Sequence, residues 1–258
     1  MLKVTSFNAN GIRSAAKKGF FDWLEQEKID VLCVQETKAQ EHQLDDPIFH
    51  PPGYHRYFFD AHKKGYSGVA IYTRYEPDNI TTGLGWEIAD TEGRYIQIDF
   101  DKISISSLYL PSGTNDERQS YKYEFLDAYL PILQKQKNSK SRKHIICGDW
   151  NIANNNIDIK NWKANQKSSG FLPEEREWLD NLLNNVGMVD AFRYLHPDKV
   201  QYTWWSHRAK AWDNNVGWRI DYHIISPGLR DDIQSASVYR EQKFSDHAPL
   251  TVCYNIEI

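Results

Sequence analysis

The sequence predicts an α/β fold in which two stacked β-sheets are flanked by helices. Strand-like runs outnumber helical ones along the 258 residues, and the two kinds alternate irregularly. Several runs, such as 95–100, alternate apolar and polar residues, as in an antiparallel or mixed sheet with one solvated face. No long linker or low-complexity block divides the chain, and its 40% hydrophobic content suffices for one sizeable core. We therefore predict a single domain over residues 1–258, built as an α/β sandwich.

The predicted strands are short apolar or alternating runs bounded by turn residues. In chain order they occupy residues 2–8, 30–35, 54–59, 68–73, 94–100, 103–109, 143–148, 201–205, 219–225, 236–240 and 249–256, with a hairpin turn at 99–102. Apolar residues at helical spacing predict helices at about 17–28 and 116–137 and a third from Pro173 to a stop at Gly187. Pro131 predicts a kink or a local break in the second helix.

The composition predicts a soluble cytoplasmic protein. No run of about eighteen apolar residues is present, which excludes a membrane-spanning helix. Met1 leads directly into the first strand-like run, which leaves no room for a signal peptide. The three cysteines are an odd number, and Cys33 and Cys147 lie within strand-like runs, so buried free thiols in a reducing compartment fit better than disulfides.

Charge and aromatic content point in different directions about a nucleic-acid partner. The formal net charge of −4 argues weakly against one, because an acidic metal site adds negative charge while basic residues elsewhere meet phosphates. Basic residues recur in polar loops such as 62–64, where a solvated loop is the simpler interpretation. The chain also has nine tryptophans, and Trp204, Trp212 and Trp218 lie in loop-like sequence, where nucleobases or sugars can stack on them.

Four carboxylates stand at the ends of strand-like runs: Glu36, Asp149, Asp221 and Asp246. Buried strands are normally uniformly apolar, and an ionised carboxylate beside them is costly unless it has a partner. Asp149, Asp221 and Asp246 also have an Asn, His or Gly within a few residues in the sequence. The pattern predicts one acidic pocket at a sheet edge, which a hard divalent cation would neutralise.

Asp149 and Asn151 follow Gly148, where the backbone can turn tightly and present both side chains to one side. A carboxylate beside a carboxamide can orient and deprotonate a water molecule. Asp and Asn are also common turn formers, so these residues leave both interpretations open. Asn8 ends the first strand and can donate its amide hydrogens to a phosphate oxygen or to Asp149.

Asp221 and His247 form the second candidate pair. Asp221 follows Arg219 closely, so half of a structural ion pair is the simpler interpretation of Asp221 alone. A catalytic histidine, however, needs a carboxylate that fixes its tautomer and raises its basicity, and Asp221 is a candidate for that partner. Glu36 and Asp246 are acidic oxygen donors at different strand ends, and together they could hold a magnesium ion.

Seven blocks of sequence occur in the order of a known family: 6–13, 35–38, 65–70, 108–111, 148–153, 217–222 and 245–249. Over essentially the whole chain they resemble the exonuclease III family of apurinic/apyrimidinic (AP) endonucleases. The resemblance implies a four-layered α/β sandwich with the DNase I-like endonuclease/exonuclease/phosphatase fold, in which two stacked mixed β-sheets are flanked by helices. It also implies a Mg²⁺ cofactor, for which Mn²⁺ can substitute.

The resemblance assigns roles residue by residue. It implies metal binding by Glu36 and Asp246, with Asn10 as a further candidate at a position that is Asp in some relatives. Tyr109 is expected to contact phosphate or assist the leaving oxygen. The reaction itself is assigned to a further set of residues: Asp149 to activate water, Asn151 to orient it, Asn8 to support both, and His247, held by Asp221, to contact the scissile phosphate.

Substrate choice is expected to come from an apolar pocket for a flipped-out baseless sugar. Trp204, Trp218 and Ile220 match its walls by resemblance, although core packing is an ordinary alternative for a tryptophan. Asn165 matches a position that contacts DNA phosphate. At the next such position the chain has Ser168 instead of Asn, which leaves that contact open.

The implied function is a Mg²⁺-dependent DNA-repair phosphodiesterase that cuts 5′ to abasic sites and processes 3′ ends. Its expected partner is double-stranded DNA with abasic sites or blocked 3′ ends, and we expect a monomer that does not act at membranes. One alternative is an enzyme that mainly processes 3′ ends as an exonuclease or phosphatase. Others are an inositol-phosphate or lipid phosphodiesterase of the same fold, which would need a dense Lys/Arg cluster or an exposed apolar docking segment. A silent DNA-binding or scaffold protein is the non-enzymatic alternative.

Overall fold

The computed structural model describes residues 1–258. Its strands are β1 (Leu2–Asn8), β2 (Val31–Gln35), β3 (His55–Phe59), β4 (Val69–Thr73), β5 (Asn79–Thr82), β6 (Tyr95–Asp99), β7 (Ile103–Tyr109), β8 (Lys143–Asp149), β9 (Val189–Asp190), β10 (Trp204–Trp205), β11 (Gly217–Trp218), β12 (Asp221–Ile225), β13 (Ile233–Val238) and β14 (Leu250–Tyr254). Its α-helices are α1 (Ile12–Lys17), α2 (Phe20–Gln26), α3 (Glu87–Thr91), α4 (Asp116–Lys137), α5 (Pro173–Asp180) and α6 (Ala191–Leu195).

The strands form two mixed six-stranded sheets and one short ribbon. The first sheet has the order β13-β14-β1-β2-β4-β3, and the second has the order β5-β6-β7-β8-β12-β9. In each sheet one central pair is parallel, β1 with β2 and β7 with β8, and the neighbouring pairs are antiparallel. Strands β10 and β11 pair separately as a two-stranded ribbon.

Three apolar cores define four layers. The innermost core lies between the sheets and joins residues such as Val4 and Ile145. A second core packs α1 and α2 on the outer face of the first sheet, and a third packs α4 and α5 on the outer face of the second. The predicted sandwich of two stacked mixed sheets flanked by helices is therefore confirmed. None of the helices combines the length and the apolar character that a membrane crossing requires.

The sheet topology brings the polar strand ends to one edge. Strands β1 and β2 run parallel, so Asn8 is paired with Gln35 and Glu36 follows at the same end. In the second sheet Asp149 is paired with Tyr109 on parallel β7 and with Asp221 on antiparallel β12. The carboxyl ends of parallel strands and the amino ends of their antiparallel neighbours meet there, as the sequence predicts.

Several predicted elements differ from the structure. The helix at 17–28 is replaced by α1 and α2, because Gly19 between them adopts a left-handed φ of 83°. The break predicted at Pro131 is wrong: α4 continues through it, and Pro131 lies on an exposed face, where water can satisfy a carbonyl that loses its N–H donor. The last predicted helix ends in a π-helical turn, Asn181–Val186, before Gly187.

Other elements escaped prediction because they are short or polar. Strand β5 is exposed throughout, and β9 contains only two residues. The sequence also missed α3 and α6, each of five residues. The strand predicted at 236–240 begins earlier, at Ile233, and that predicted at 201–205 is reduced to Trp204–Trp205.

His223 makes the stability of the fold sensitive to acid. Its ring lies between the sheets, where Nε2 donates to the Leu250 carbonyl at 3.3 Å and Nδ1 accepts from the Tyr254 hydroxyl at 3.1 Å. Burial lowers the pKa of His223 from 6.5 to about 3. The unfolded chain therefore takes up a proton below pH 6.5 that the folded chain refuses, and stability is lost as the pH falls from 6.5 towards 3.

We expect His223→Gln to flatten this acid loss by up to about 1.4 kcal/mol per pH unit, because glutamine can make both hydrogen bonds without titrating. Urea unfolding, measured in buffers from roughly pH 7 down to about pH 4, checks how steeply the free energy of unfolding falls with pH. The exposed His62→Gln provides the control, with an unchanged slope expected. Parallel stability profiles for wild type and His223→Gln would contradict the prediction.

Candidate active site

The backbone turns sharply where the site residues leave their strands. Glu36, Lys38 and Asn151 have φ angles of 50°, 48° and 51°, and Asn10 has a φ of 42°. Non-glycine residues occupy this left-handed region rarely, and they do so chiefly at turns and functional sites. Here the turns aim consecutive polar side chains into one pocket instead of continuing the alternation of a strand.

Asn8 links two of the carboxylates. Its side-chain Nδ2 donates to Glu36 Oε1 at 2.9 Å and to Asp149 Oδ2 at 2.9 Å. The other oxygen of Asp149, Oδ1, accepts from the N–H of Asn151 at 2.9 Å. Asn151 is itself held by a bond from its Nδ2 to the carbonyl of Leu110 at 2.8 Å. The Asp149 carboxylate is thus fixed by an amide donor on each oxygen.

Asp221 is the hydrogen-bond partner of His247, as predicted. Asp221 Oδ2 lies 2.9 Å from His247 Nδ1, and His247 Nε2 lies 3.8 Å from Asp149 Oδ2. The alternative ion pair between Asp221 and Arg219 does not form. Arg219 instead pairs with two other buried carboxylates, Asp158 at 2.7 Å and Asp190 at 2.8 Å.

Burial and neighbouring charges shift the acidities at the centre. Burial, with Asp221 and Glu36 nearby, raises the pKa of Asp149 to about 7, although His247 opposes the shift. Burial alone would lower the pKa of His247, but the Asp221 carboxylate outweighs it and raises that pKa to about 10. At neutral pH the imidazole ring is therefore a cation that carries N–H groups on both nitrogens.

Asp246 is buried, but its carboxylate accepts hydrogen bonds from three side chains. Its oxygens accept from Asn10 Nδ2 at 3.0 Å, from Trp204 Nε1 at 3.1 Å and from Ser245 Oγ at 3.0 Å. Burial opposes ionisation, but His247 and these three donors lower the pKa of Asp246 to about 2. The Asp246 carboxylate is accordingly ionised throughout the neutral range.

The site also has a geometry suited to a cation. Glu36, Asp149 and His247 offer ligand atoms that all lie within 4.8 Å of one another. The ammonium of Lys38 lies 2.9 Å from Glu36 Oε2 and also donates to Asn10 Oδ1. A cation of the protein, the Lys38 ammonium, thus already binds oxygens at this edge of the sheet.

Tyr109 stands beside the carboxylates with an arginine over its ring. The guanidinium of Arg94 lies 4.7 Å from the ring centroid, and Arg94 Nη1 donates to the Tyr109 carbonyl at 2.9 Å. Burial, reinforced by Glu36, raises the pKa of Tyr109 well above its usual value. The phenol therefore keeps its proton and can act as a hydrogen-bond donor.

These residues open onto a cavity of about 390 Å³. Trp204, Trp218 and Ile220 supply its apolar side, and the two indole rings meet edge to face with centroids 6.0 Å apart. Both tryptophans are half-buried, in contrast to Trp205, which is fully buried in the core. The cavity also contains Glu36, Tyr109, Asp149, Asn151, Asp246 and His247.

Asn165 and Ser168 also line the cavity and are bonded to each other. Ser168 Oγ donates to Asn165 Oδ1 at 3.0 Å, while Asn165 Nδ2 donates to the carbonyl of Asn161 at 2.8 Å. A second depression, of about 470 Å³, has three basic side chains in its lining: Arg13, Lys17 and Lys38.

Sequence reasoning missed several residues that build the site. Lys122 and Glu175 are both fully buried and form an ion pair whose members bond to the lining residues Asn151 and Gly170. One signal was present: Lys122 lies four and seven residues before the buried Leu126 and Tyr129, on the apolar face of α4. A charged residue at such a position requires a buried partner.

Known proteins match this chain over its length. The model of the Endonuclease/Exonuclease/phosphatase family matches residues 5–247. An exodeoxyribonuclease of Bacillus subtilis (strain 168) is 40% identical over 258 residues, covering 99% of this chain and 100% of that protein. The DNA repair nuclease APEX1 of Danio rerio is 39% identical, covering 97% of this chain and 81% of that protein.

Solved structures give the same result. An AP endonuclease from Archaeoglobus fulgidus superposes with a TM-score of 0.90 at 32% identity, covering 99% of this chain and 100% of that one. The resemblance carried by the seven sequence blocks is therefore confirmed. With a matching fold, a matching family model and a relative 40% identical over its whole length, this chain belongs to the endonuclease/exonuclease/phosphatase family.

Proposed function

We propose that this enzyme is a Mg²⁺-dependent DNA-repair phosphodiesterase that hydrolyses the backbone 5′ to abasic sites and also processes 3′ ends. The observation that carries the proposal is the apolar side of the cavity, formed by Trp204, Trp218 and Ile220, directly beside Asp149 and His247. A sugar without a base fits such a pocket, whereas an intact nucleotide must remain stacked in the duplex. The relatives named as exodeoxyribonuclease and AP endonuclease support both activities.

Asp149 is the proposed base that activates water. Its two oxygens are each fixed by an amide donor, from Asn8 and from Asn151, so the remaining lone pairs have defined directions. Its raised pKa, about 7, makes it a stronger proton acceptor than an exposed carboxylate while it is still half ionised at neutral pH. Asn151 is the proposed second contact that orients the water molecule.

His247 is the proposed donor to the scissile phosphate. With Nδ1 held by Asp221, its Nε2–H is left for an oxygen on which negative charge develops. Tyr109 lines the same cavity as a protonated phenol and is proposed to donate to the phosphate or to the leaving oxygen. A flipped sugar phosphate in the cavity would thus meet donors from two sides.

The donors at this edge fit a hard divalent cation. We propose that Glu36 and Asp246 hold it, with Asn10 as a further ligand, because Glu36 and Asp246 are oxygen donors that line the cavity and Asn10 is hydrogen-bonded to Asp246. When bound, the cation supplies Lewis-acid stabilisation of charge on the phosphate. Oxygen ligands of this kind favour Mg²⁺, and Mn²⁺ should substitute.

Duplex DNA would extend beyond the cavity over the basic depression. Arg13, Lys17 and Lys38 line that depression, and their charges suit backbone phosphates. Asn165 at the rim of the cavity is a further proposed phosphate contact.

We also propose a monomer in the cytoplasm, consistent with three free cysteines and with exposed apolar side chains that come from separate segments. Light scattering at assay concentrations checks the monomer.

Assaying the pure protein on three duplexes tests the function. One contains a single abasic analogue, one a recessed 3′ hydroxyl and one a 3′ phosphate, each with Mg²⁺ or with a chelator. With Mg²⁺ we expect incision 5′ to the abasic analogue that leaves a 3′ hydroxyl. Removal of nucleotides from the recessed 3′ end and of phosphate from the 3′ phosphate should be slower. No product is expected from any duplex with chelator. An abasic duplex that stays intact at saturating enzyme would refute the AP-endonuclease activity, and trimming alone would favour the 3′-end-processing alternative.

A further inference from the structure

Lys122 and Glu175 form an ion pair that solvent does not reach. Lys122 lies on α4 and Glu175 in the first turn of α5; both side chains are 0% exposed, and Lys122 Nζ lies 2.6 Å from Glu175 Oε1. Such pairs are often no better for stability than well-packed apolar residues of the same volume, because two charges must be desolvated. The contacts of the pair point instead to a role at the cavity.

Lys122 holds the backbone beside the proposed base. Its ammonium donates to the carbonyl oxygen of Asn151 at 2.8 Å. Asn151 has a left-handed φ of 51°, and its N–H donates to Asp149 Oδ1. The ammonium therefore anchors a strained turn whose position sets the direction of the Asp149 carboxylate.

Glu175 holds the opposite part of the cavity lining. Its Oε2 accepts from the N–H of Gly170 at 2.6 Å and of Leu172 at 3.0 Å, and its Oε1 accepts from the Ser169 hydroxyl at 3.3 Å. The Ser169 oxygen in turn accepts from the N–H of Gly113 at 3.2 Å, another lining residue. We call residues 168–170 the wall segment.

The wall segment is packed directly against the apolar side of the cavity. Gly170 has a φ of 89°, and a Cβ built there would lie 3.1 Å from the Trp218 ring and 3.1 Å from the Asn151 carbonyl oxygen. The backbone of Gly170 thus fills the space between the indole and the turn after β8. A small displacement of the wall segment would change the width of the cavity.

We propose that Lys122 and Glu175 are a positioning pair that sets the width of the cavity and thereby favours an abasic sugar over an intact nucleotide. The pair ties three parts of the chain together: α4, the turn that carries Asn151, and the wall segment before α5. Neither residue touches the substrate, so both act through Asn151 and Gly170. The inference rests on the proposed function for the identity of the substrates.

The test uses the double variant Lys122→Met/Glu175→Gln, which removes both charges together so that neither is left buried and unpaired. The glutamine oxygen can still accept from an N–H at the start of α5. The matched control is Lys135→Met/Glu174→Gln, which makes the same changes on the same two helices at exposed positions. Two readouts are taken for each protein: amide hydrogen exchange of residues 165–172, and kcat and KM on abasic and on undamaged recessed duplexes.

In the double variant we expect faster amide exchange in residues 165–172 and unchanged protection of β8. The ratio of kcat/KM on the abasic duplex to kcat/KM on the undamaged duplex should fall by about 10-fold to 10²-fold, mainly through kcat on the abasic duplex. The control should match wild type in both readouts. Unchanged exchange, or equal losses on both duplexes, would overturn the proposal. A wild-type protein that leaves the abasic duplex uncut would refute the proposed function instead, and the exchange data would still report on the positioning.

A second variant tests the same proposal in case Lys122→Met/Glu175→Gln does not fold. Ser169→Ala removes the hydroxyl that Glu175 and Gly113 share and leaves the ion pair intact. It is expected to lower the same ratio in the same direction, with a smaller change in exchange. A wild-type ratio in Ser169→Ala would count against the proposal as directly as the double variant does.

Discussion

Replacing Asp149 by alanine will lower kcat on an abasic duplex by about 10²–10⁴-fold, the usual contribution of a positioned general base. The melting temperature should stay the same or rise slightly. Asp149 is a buried carboxylate whose pKa is raised to about 7 by burial and by Asp221 and Glu36, so its removal relieves repulsion in the folded state. The variant loses the bonds that Asn8 and the N–H of Asn151 donate to Asp149, but Asn8 keeps its other bond, to Glu36 at 2.9 Å.

Single-turnover assays and thermal melting on one preparation separate the two effects. Asp101→Ala, in the exposed turn between β6 and β7, provides a control that removes an aspartate far from the cavity. Wild-type turnover in Asp149→Ala would show that another group activates water. A large fall in melting temperature would instead mark Asp149 as a structural residue.

The second large effect is expected for Asp221→Asn, with a loss of about 10²–10³-fold in kcat, typical of a lost donor to developing charge. Asp221 Oδ2 lies 2.9 Å from His247 Nδ1, and its negative charge is the largest of the effects that raise the pKa of His247 to about 10. An asparagine can accept the same hydrogen bond but contributes no charge. The pKa of His247 will therefore fall, which histidine resonances can follow by NMR.

A double-mutant cycle decides whether Asp221 acts through His247. Because a positioning residue has no effect once its target is gone, Asp221→Asn/His247→Ala should be no slower than His247→Ala alone. Independent losses that multiply in the double variant would contradict this. The control is Asp213→Asn, the same substitution at an exposed position nearby in the sequence, and it is expected to retain wild-type turnover.

The strand-end carboxylates were predictable because sheet topology restricts where strand ends can lie. Glu36 and Asp149 each follow an apolar run, and their strands β2 and β8 are each parallel to a neighbour. The pairing of Asp221 with His247 was accessible as a candidate, since a catalytic histidine needs a carboxylate that fixes its tautomer. Motif order then identified the family, which local patterns alone could not.

The errors share one cause, which is that local sequence signals report neither the solvent exposure of a residue nor its partners from distant segments. Pro131 was expected to kink or locally break α4, but the helix continues through it and Pro131 lies on its exposed face, where water can take the place of the missing donor. Arg219 looked like a partner for Asp221 because the two are close in sequence, yet it pairs with Asp158 and Asp190. Long-range ion pairs depend on which distant segments arrive at the same place.

The sequence by itself determined the sandwich architecture, the family and the residues of the acidic edge, because periodicity, strand ends and motif order can all be followed along the chain without knowing how it folds. Only the tertiary structure decided how those residues are held. Lys122 and Glu175 are 53 residues apart, and Asn8 reaches Asp149 across 141 residues. A buried charge is tolerated only where the fold supplies a partner, and the identity of that partner is a property of three-dimensional packing.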